Sequence, residues 1–238
     1  MNRIRIHIPV QSLIHRLPII MILQAVALVL GCLVFSDTAL GRDDGSDTDR
    51  LNRLESRINI YRISPEYADD RYGLIVVKAA VSAIRNGSGG IGACLVDAVT
   101  GQVVETGLNR QFSPHFRSDL HAEMDLLNRY EDRVQKSNSP KTGGNPRECP
   151  NLVLISSVEP CPMCLTRIIN SGIKTVLYVV EDNEGGMVTR LNQLPPFWRE
   201  FAADREFRQA DCSPELRQIA LKLFHFSHRD FAKNRKKQ

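Results

Sequence analysis

The chain has 238 residues, 42% of them hydrophobic and 24% charged, with a formal net charge of +4 and a pI near 8.8. That balance excludes a disordered, collagenous or polytopic membrane protein, and the length suffices for one domain with its own core. The excess charge sits at the ends: residues 1–41 carry a net +2 and residues 229–238 a net +4, which leaves residues 42–228 at −2. A slightly acidic body argues against a nucleic-acid partner.

Residues 1–41 read as a signal peptide or membrane anchor. Arg3, Arg5 and Arg16 precede an uncharged, largely apolar run from Leu17 to Ser36, and Ala39-Leu40-Gly41 offers a small-x-small cleavage site. The run is close to bilayer-spanning length, so membrane attachment through residues 17–36 competes with cleavage. Either way the remainder is expected outside the cytoplasm, as an exported, periplasmic or extracellular protein.

Residues 42–63 read as a polar linker and a short helix carrying Leu51, Leu54 and Ile58 at helical spacing. Ser64-Pro65-Glu66 is a helix-start signal, Leu74, Val77, Val81 and Ile84 mark an apolar face, and Asn86-Gly87 ends that helix. Residues 91–97 and 102–108 read as strands around a Thr100-Gly101 turn. A second helix is expected from Ser118-Asp119, with Leu120, Met124, Leu127 and Val134 inward. Residues 135–150 form a long loop and residues 152–156 a short strand. Pro160 opens a third helix ending at Gly172, residues 173–180 form a buried strand, and Ser213-Pro214-Glu215 starts a helix with Leu216, Ile219, Leu223 and Phe226 on one face. Strands alternating with helices predict a three-layer α/β domain over residues 64–228, followed by a basic tail, 229–238.

Two segments carry chemistry: His121-Ala122-Glu123 at the head of the second helix, and Glu159-Pro160-Cys161-Pro162-Met163-Cys164 where a strand turns into the third. Cys161 and Cys164 are three apart at a helix start, so both sulfurs can face one metal, and the helix N-terminus favours their thiolates. His121 would supply a neutral nitrogen and leave a fourth tetrahedral position for water, the open arrangement of a catalytic rather than a structural zinc. Two thiolates and a neutral imidazole bring Zn²⁺ to zero net charge, so its water stays acidic. Glu123 lies two residues beyond the ligand, placed to carry protons between that water and a substrate.

These segments resemble the zinc-dependent cytidine/deoxycytidylate deaminase superfamily, whose signature is H-x-E followed by P-C-x-x-C. The Glu-Pro-Cys-Pro-Met-Cys form is most similar to guanine deaminases and to the adenosine deaminases that edit tRNA. The resemblance covers roughly residues 66–185 and implies a central mixed sheet of about five strands with helices on both faces. It also implies one Zn²⁺ on His121, Cys161 and Cys164, with Glu123 as the catalytic proton carrier. Gly107-Leu108-Asn109 matches a family Gly-x-Asn, so Asn109 is the implied substrate-binding residue, and Asp182-Asn183-Glu184-Gly185 resembles an Asp…Gly segment of the same branch. Where the family carries small or apolar residues after His-Ala-Glu, this chain has Met124-Asp125-Leu126-Leu127.

The expected function is zinc-dependent hydrolytic deamination of a small base or nucleoside of guanine, adenine or cytosine type, by a homo-oligomer if the family pattern holds. Two alternatives stand beside it: a nucleic-acid editing deaminase, for which no interleaved aromatic and basic stripe is apparent, and a non-catalytic secreted zinc protein, for which Glu123 has no use. Of six cysteines, Cys32 lies in the N-terminal segment, Cys94 reads as a buried thiol, and Cys149 and Cys212 are candidates to pair if the compartment is oxidising.

Overall fold

The computed structural model describes residues 46–137 and 149–235. The expectations for residues 1–41, for the interior of the 135–150 loop, for a pairing that involves the Cys149 side chain and for the last three residues of the basic tail lie outside them. Among the described residues no helix is long and apolar enough to cross a membrane.

The chain runs α1 (Asp47–Ile60), α2 (Asp70–Arg85), β1 (Gly92–Asp97), β2 (Val103–Leu108), α3 (Ala122–Ser137), β3 (Cys149–Val158), α4 (Pro162–Ser171), β4 (Ile173–Val180), α5 (Pro196–Phe201), β5 (Glu206–Gln209) and α6 (Pro214–Arg235). The strands form one mixed sheet in the order β2-β1-β3-β4-β5: β1 is antiparallel to both neighbours, and β3, β4 and β5 are parallel. This is the expected three-layer α/β architecture, with a mixed sheet of five strands.

Alternation along the strands divides the core. Cys94, Val96, Ile155 and Leu177 pack with α1, α2 and α6, whereas Ala93, Leu95, Leu154 and Val176 pack with Ala122, Leu126 and Ile168 of α3 and α4. Leu51, Leu54 and Ile58 are the buried residues of α1, and Leu216, Ile219 and Leu223 are buried on α6, as their spacing predicts. The Ser213 hydroxyl accepts from the Leu216 N–H at the start of α6 (3.2 Å). That helix continues to Arg235, into the segment read as a basic tail.

The sequence expectations differ from the structure at several places: among them, α3 runs to Ser137 and β3 begins at Cys149, both within the segment read as a 135–150 loop, and α5 lies where no helix is expected. The helix expected from Ser64 starts at Asp70, because Ser64-Pro65-Glu66 forms a turn: the Asp70 carboxylate accepts the Ser64 N–H (2.8 Å) and the Tyr67 N–H bonds back to Ser64 (3.4 Å). The helix expected near Ser118 starts at Ala122, since Asp119 is held by the Arg117 guanidinium and the Leu120 N–H turns back to Arg117. Its buried face is Ala122, Glu123, Asp125, Leu126 and Leu127, with Met124 only half-buried. Two carboxylates occupy positions that an apolar period assigns to hydrophobes. Finally, β5 (Glu-Phe-Arg-Gln) carries no buried residue, so no hydrophobic run announces it; parallel pairing with β4 makes it a strand.

Candidate metal centre and active site

The C-terminal ends of β3 and β4 and the starts of α3 and α4 meet at one end of the sheet. β3 leaves the sheet at Val158, and α4 begins at Pro162 with Cys161 as its extended N-cap residue. Proline suits this first position because it has no N–H to leave unpaired. The Leu165 N–H closes the first helical bond on the Cys161 carbonyl (2.9 Å). Cys161 and Cys164 therefore flank the N-terminal turn, where the aligned peptide dipoles favour negative charge. His121 stands just before α3, its carbonyl accepting the Asp125 N–H (2.9 Å).

The His121 Nδ1 lies 3.6 Å from the Cys161 Sγ, and the His121, Cys161 and Cys164 donor atoms all lie within 4.8 Å of one another. No other group of three or more His, Cys, Asp or Glu donors comes together in this way among the described residues. Zinc bonds of about 2.0–2.3 Å in tetrahedral geometry put nitrogen and sulfur about 3.5 Å apart. The observed spacing fits, and two sulfurs with one imidazole suit zinc chemically. The thiols divide their protons. A hydrogen bond from Cys164, helped by His121 and the Cys164 N–H, pulls the Cys161 thiol down to about 4 against its burial. The same Cys161–Cys164 bond, with burial, holds Cys164 well above its ordinary value. His121 is raised by its bond to Cys161, which outweighs desolvation. A cation brought to these donors supplies the charge that lets the second thiol ionise.

Glu123 sits on the first turn of α3, buried, where it accepts from the Ser156 hydroxyl on β3 (3.0 Å) and is bonded by the Cys164 thiol. Burial, then the negative Cys161 sulfur, push its carboxyl up, the direction that favours holding a proton. Asn109 follows β2 at the same end of the sheet. It is buried, and its Oδ1 accepts from the Ser88 hydroxyl (2.8 Å) and the Gln111 N–H (2.9 Å), which leaves Nδ2 as its donor. Asn109 lines a cavity of about 560 Å³ together with Ser88, Arg85, Arg110, Asp125 and Arg129; His121, Glu123, Cys161 and Cys164 are not in its wall. The structure thus gathers four of the five sequence-predicted residues into one cluster and puts Asn109 in a neighbouring recess.

Sequence reading misses two supports. Ser156 is one; its only signal is a Ser-Ser pair interrupting the apolar run of β3. Glu159 is the other: its buried carboxylate accepts the N–H groups of Asp182 (3.1 Å) and Thr189 (2.7 Å) and the Thr189 hydroxyl (2.9 Å). The loop after β4 is thereby wrapped against the Cys161 turn, which the Met187 N–H joins through the Pro160 carbonyl (2.9 Å). Gly186 belongs to this wrap because a side chain there would collide with the Glu159 carboxylate. Asp182 spends its carboxylate on its own turn, accepting from the Glu184 and Gly185 N–H groups. Cys94 and Cys212 are buried free thiols.

Residues 67–180 match the family model for the cytidine and deoxycytidylate deaminase zinc-binding region. No curated protein matches the chain in sequence. Among solved structures, a guanine deaminase from Nitrosomonas europaea superposes with a TM-score of 0.50 at 18% identity, over 71% of this chain and 91% of that one. The protein NE0047 in complex with 2,6-diaminopurine gives 0.50 at 20% identity, over 74% and 89%. A transfer-RNA deaminase that edits A to I at the wobble position gives 0.47 at 22% identity, over 59% and 97%. What the first two share with this chain is the fold.

Proposed function

We propose that this chain, whose residues 67–180 match a deaminase zinc-binding region, is a hydrolytic deaminase of a nucleobase or nucleoside of guanine, adenine or cytosine type. The observation that carries the reading is the approach of three soft donors to within 4.8 Å, with the buried carboxyl of Glu123 on the same turn as His121. A structural zinc site has no use for an unliganded buried carboxyl; a hydrolytic one does.

His121, Cys161 and Cys164 would hold zinc. When bound, it supplies the Lewis acidity that makes water acidic near neutral pH. Glu123, oriented by the Ser156 hydroxyl, takes a proton from the attacking water, passes it to the ring nitrogen and delivers a further proton to the exocyclic amino group. Water adds its oxygen to the amino-bearing carbon and the amino group leaves as ammonia, so the ring gains a carbonyl. The Asn109 Nδ2 donates to the base. Burial of Glu123 keeps bulk water from competing for its proton.

The test is ammonia release from guanine, adenine, cytosine and their nucleosides by zinc-replete protein. Turnover of one of them is expected; stoichiometric zinc with no turnover of any would overturn the reading. A second reading, deamination within a nucleic-acid strand, has one observation in its favour. The loop before α3 exposes Phe112 and Phe116, with ring centroids 5.9 Å apart, between Arg110 and Arg117. This interleaving of aromatic and basic residues falls within the continuous segment 110–117, and such surfaces stack single-stranded bases. Phe116→Ser leaves base turnover intact on the first reading and abolishes strand editing on the second.

Export, with the N-terminal segment either cleaved as a signal peptide or kept as a membrane anchor through residues 17–36, and a homo-oligomeric state complete the proposal. They rest on the basic, then apolar, N-terminal sequence and on family analogy. Fractionation of the host with a size-resolved blot tests the location; a full-length soluble cytoplasmic protein would refute it.

A further inference from the structure

β2 is an edge strand, and its outward backbone groups need partners. They find them on α3. The Asp125 Oδ2 accepts the Leu108 N–H (3.3 Å), the Arg129 guanidinium donates to the Thr106 carbonyl, and the Arg133 guanidinium donates to the Val104 carbonyl (2.8 Å). Four residues of helix rise about 6 Å and two residues of strand about 6.6 Å, so three helix positions four apart match three strand positions two apart. The rungs are tied to one another. Arg129 also bonds Asp125 (3.0 Å) and Glu105 (3.2 Å), and Arg133 bonds Glu105 (2.6 Å). Arg110 adds a longer contact to Asp125 (3.4 Å).

The two elements also touch backbone to backbone at the end that matters. A Cβ at Gly107 would collide with the Ala122 carbonyl and stand 2.6 Å from the Leu126 Cβ. Ala122 lies between His121 and Glu123, and Gly107 is two residues before Asn109. Asp125 is buried, at 4% exposure, and serves as the rung nearest both.

We infer that Asp125 is a positioning residue: with Arg129 and Arg133 it locks α3 onto the free edge of β2 and so sets Asn109 in register with Glu123. The kinetic half of this inference rests on the deaminase reading; the structural half does not. In Asp125→Asn the shape is kept and the charged acceptor of the ladder is lost. The Leu108 amide is expected to exchange its hydrogen about ten-fold faster, since a native hydrogen bond protects it. On the substrate that the wild type turns over, KM rises about ten-fold while kcat stays within about three-fold. In an Asn109→Ala background the same change moves KM less than about two-fold, because the two residues act through one contact.

An unchanged Leu108 exchange rate overturns the ladder. A KM effect of full size in the Asn109→Ala background overturns the link to Asn109. Should Asp125→Asn fail to fold, Arg129→Gln, on a half-exposed side chain, cuts the next rung and, because Arg129 also holds Asp125, is read through Leu108 exchange in the same way. If the wild type releases ammonia from no base, the deaminase reading falls, and the exchange measurement still decides the ladder.

Discussion

Asp70 and Glu123 are buried on opposite faces of one sheet, at 0% and 3% exposure, and their surroundings treat them in opposite ways. Asp70 lies against the α1–α2–α6 layer and accepts the Ser213 N–H (2.9 Å), the Ser64 N–H (2.8 Å) and the Tyr61 hydroxyl (2.7 Å). Desolvation pushes its carboxyl up, but these donors outweigh it and the net shift is downward. Glu123, in the α3–α4 layer, has the Ser156 hydroxyl and a negative sulfur nearby, and its carboxyl goes up. Three donors favour the charged form of Asp70 and tie the turn before α2 to the start of α6. Around Glu123, burial and a negative sulfur outweigh the donors, which leaves a carboxyl able to give and take a proton, as a hydrolytic site requires.

The largest test of this contrast is Glu123→Ala. Turnover is expected to fall about 10³-fold, the range that a lost proton carrier produces, with zinc retained on metal analysis and stability nearly unchanged. Unaltered turnover would remove Glu123 from the chemistry. Asp70→Ala is expected to do the reverse. It strands the Ser213 and Ser64 N–H groups and lowers unfolding free energy by about 3 kcal/mol in a denaturant titration, with activity per folded molecule preserved.

The sign of the Asp70 shift sets a pH dependence. Its folded value lies below the ordinary 3.8, so the stability it contributes is present above that value and is lost as pH falls through the folded value. Asp70→Asn should therefore flatten the acid limb of the stability profile below pH 3.8; an unchanged limb would show that other carboxylates carry it. The smallest expected effect is Ser156→Ala. It removes the donor that orients Glu123, so kcat should drop about ten-fold while stability changes by about 1 kcal/mol. Equal loss in both variants, or none in either, would erase the distinction between a proton carrier and its support.

The candidate site was more legible than the layer that holds it. Cys161 and Cys164 are one helical turn apart, and His121 immediately precedes the first turn of α3, which holds Glu123, so within each pair the spacing along the chain already states the separation in space. For the same reason residues 173–180, Ser213 with the α6 face, and the left-handed Gly172 that ends α4 could be read directly. Legibility failed where a tertiary partner decides the outcome. The α2 start moved from Ser64 to Asp70 because Asp70 bonds across to Ser213, 143 positions away. The buried face of α3 was misassigned because Glu123 and Asp125 are polar residues with partners on β3 and β2.

The sequence by itself determined the candidate donors, the candidate proton carrier and the α/β alternation from side-chain chemistry and distances inside one turn or one strand; that His121 meets Cys161 and Cys164 is decided by how α3 and α4 pack. Only the tertiary structure decided that Ser156 meets Glu123, that Glu159 wraps the loop after β4, that Asn109 opens into a neighbouring recess, and that α3 caps the edge of β2. Each of these joins elements whose mutual register is set by strand pairing and helix packing. No local period encodes that register.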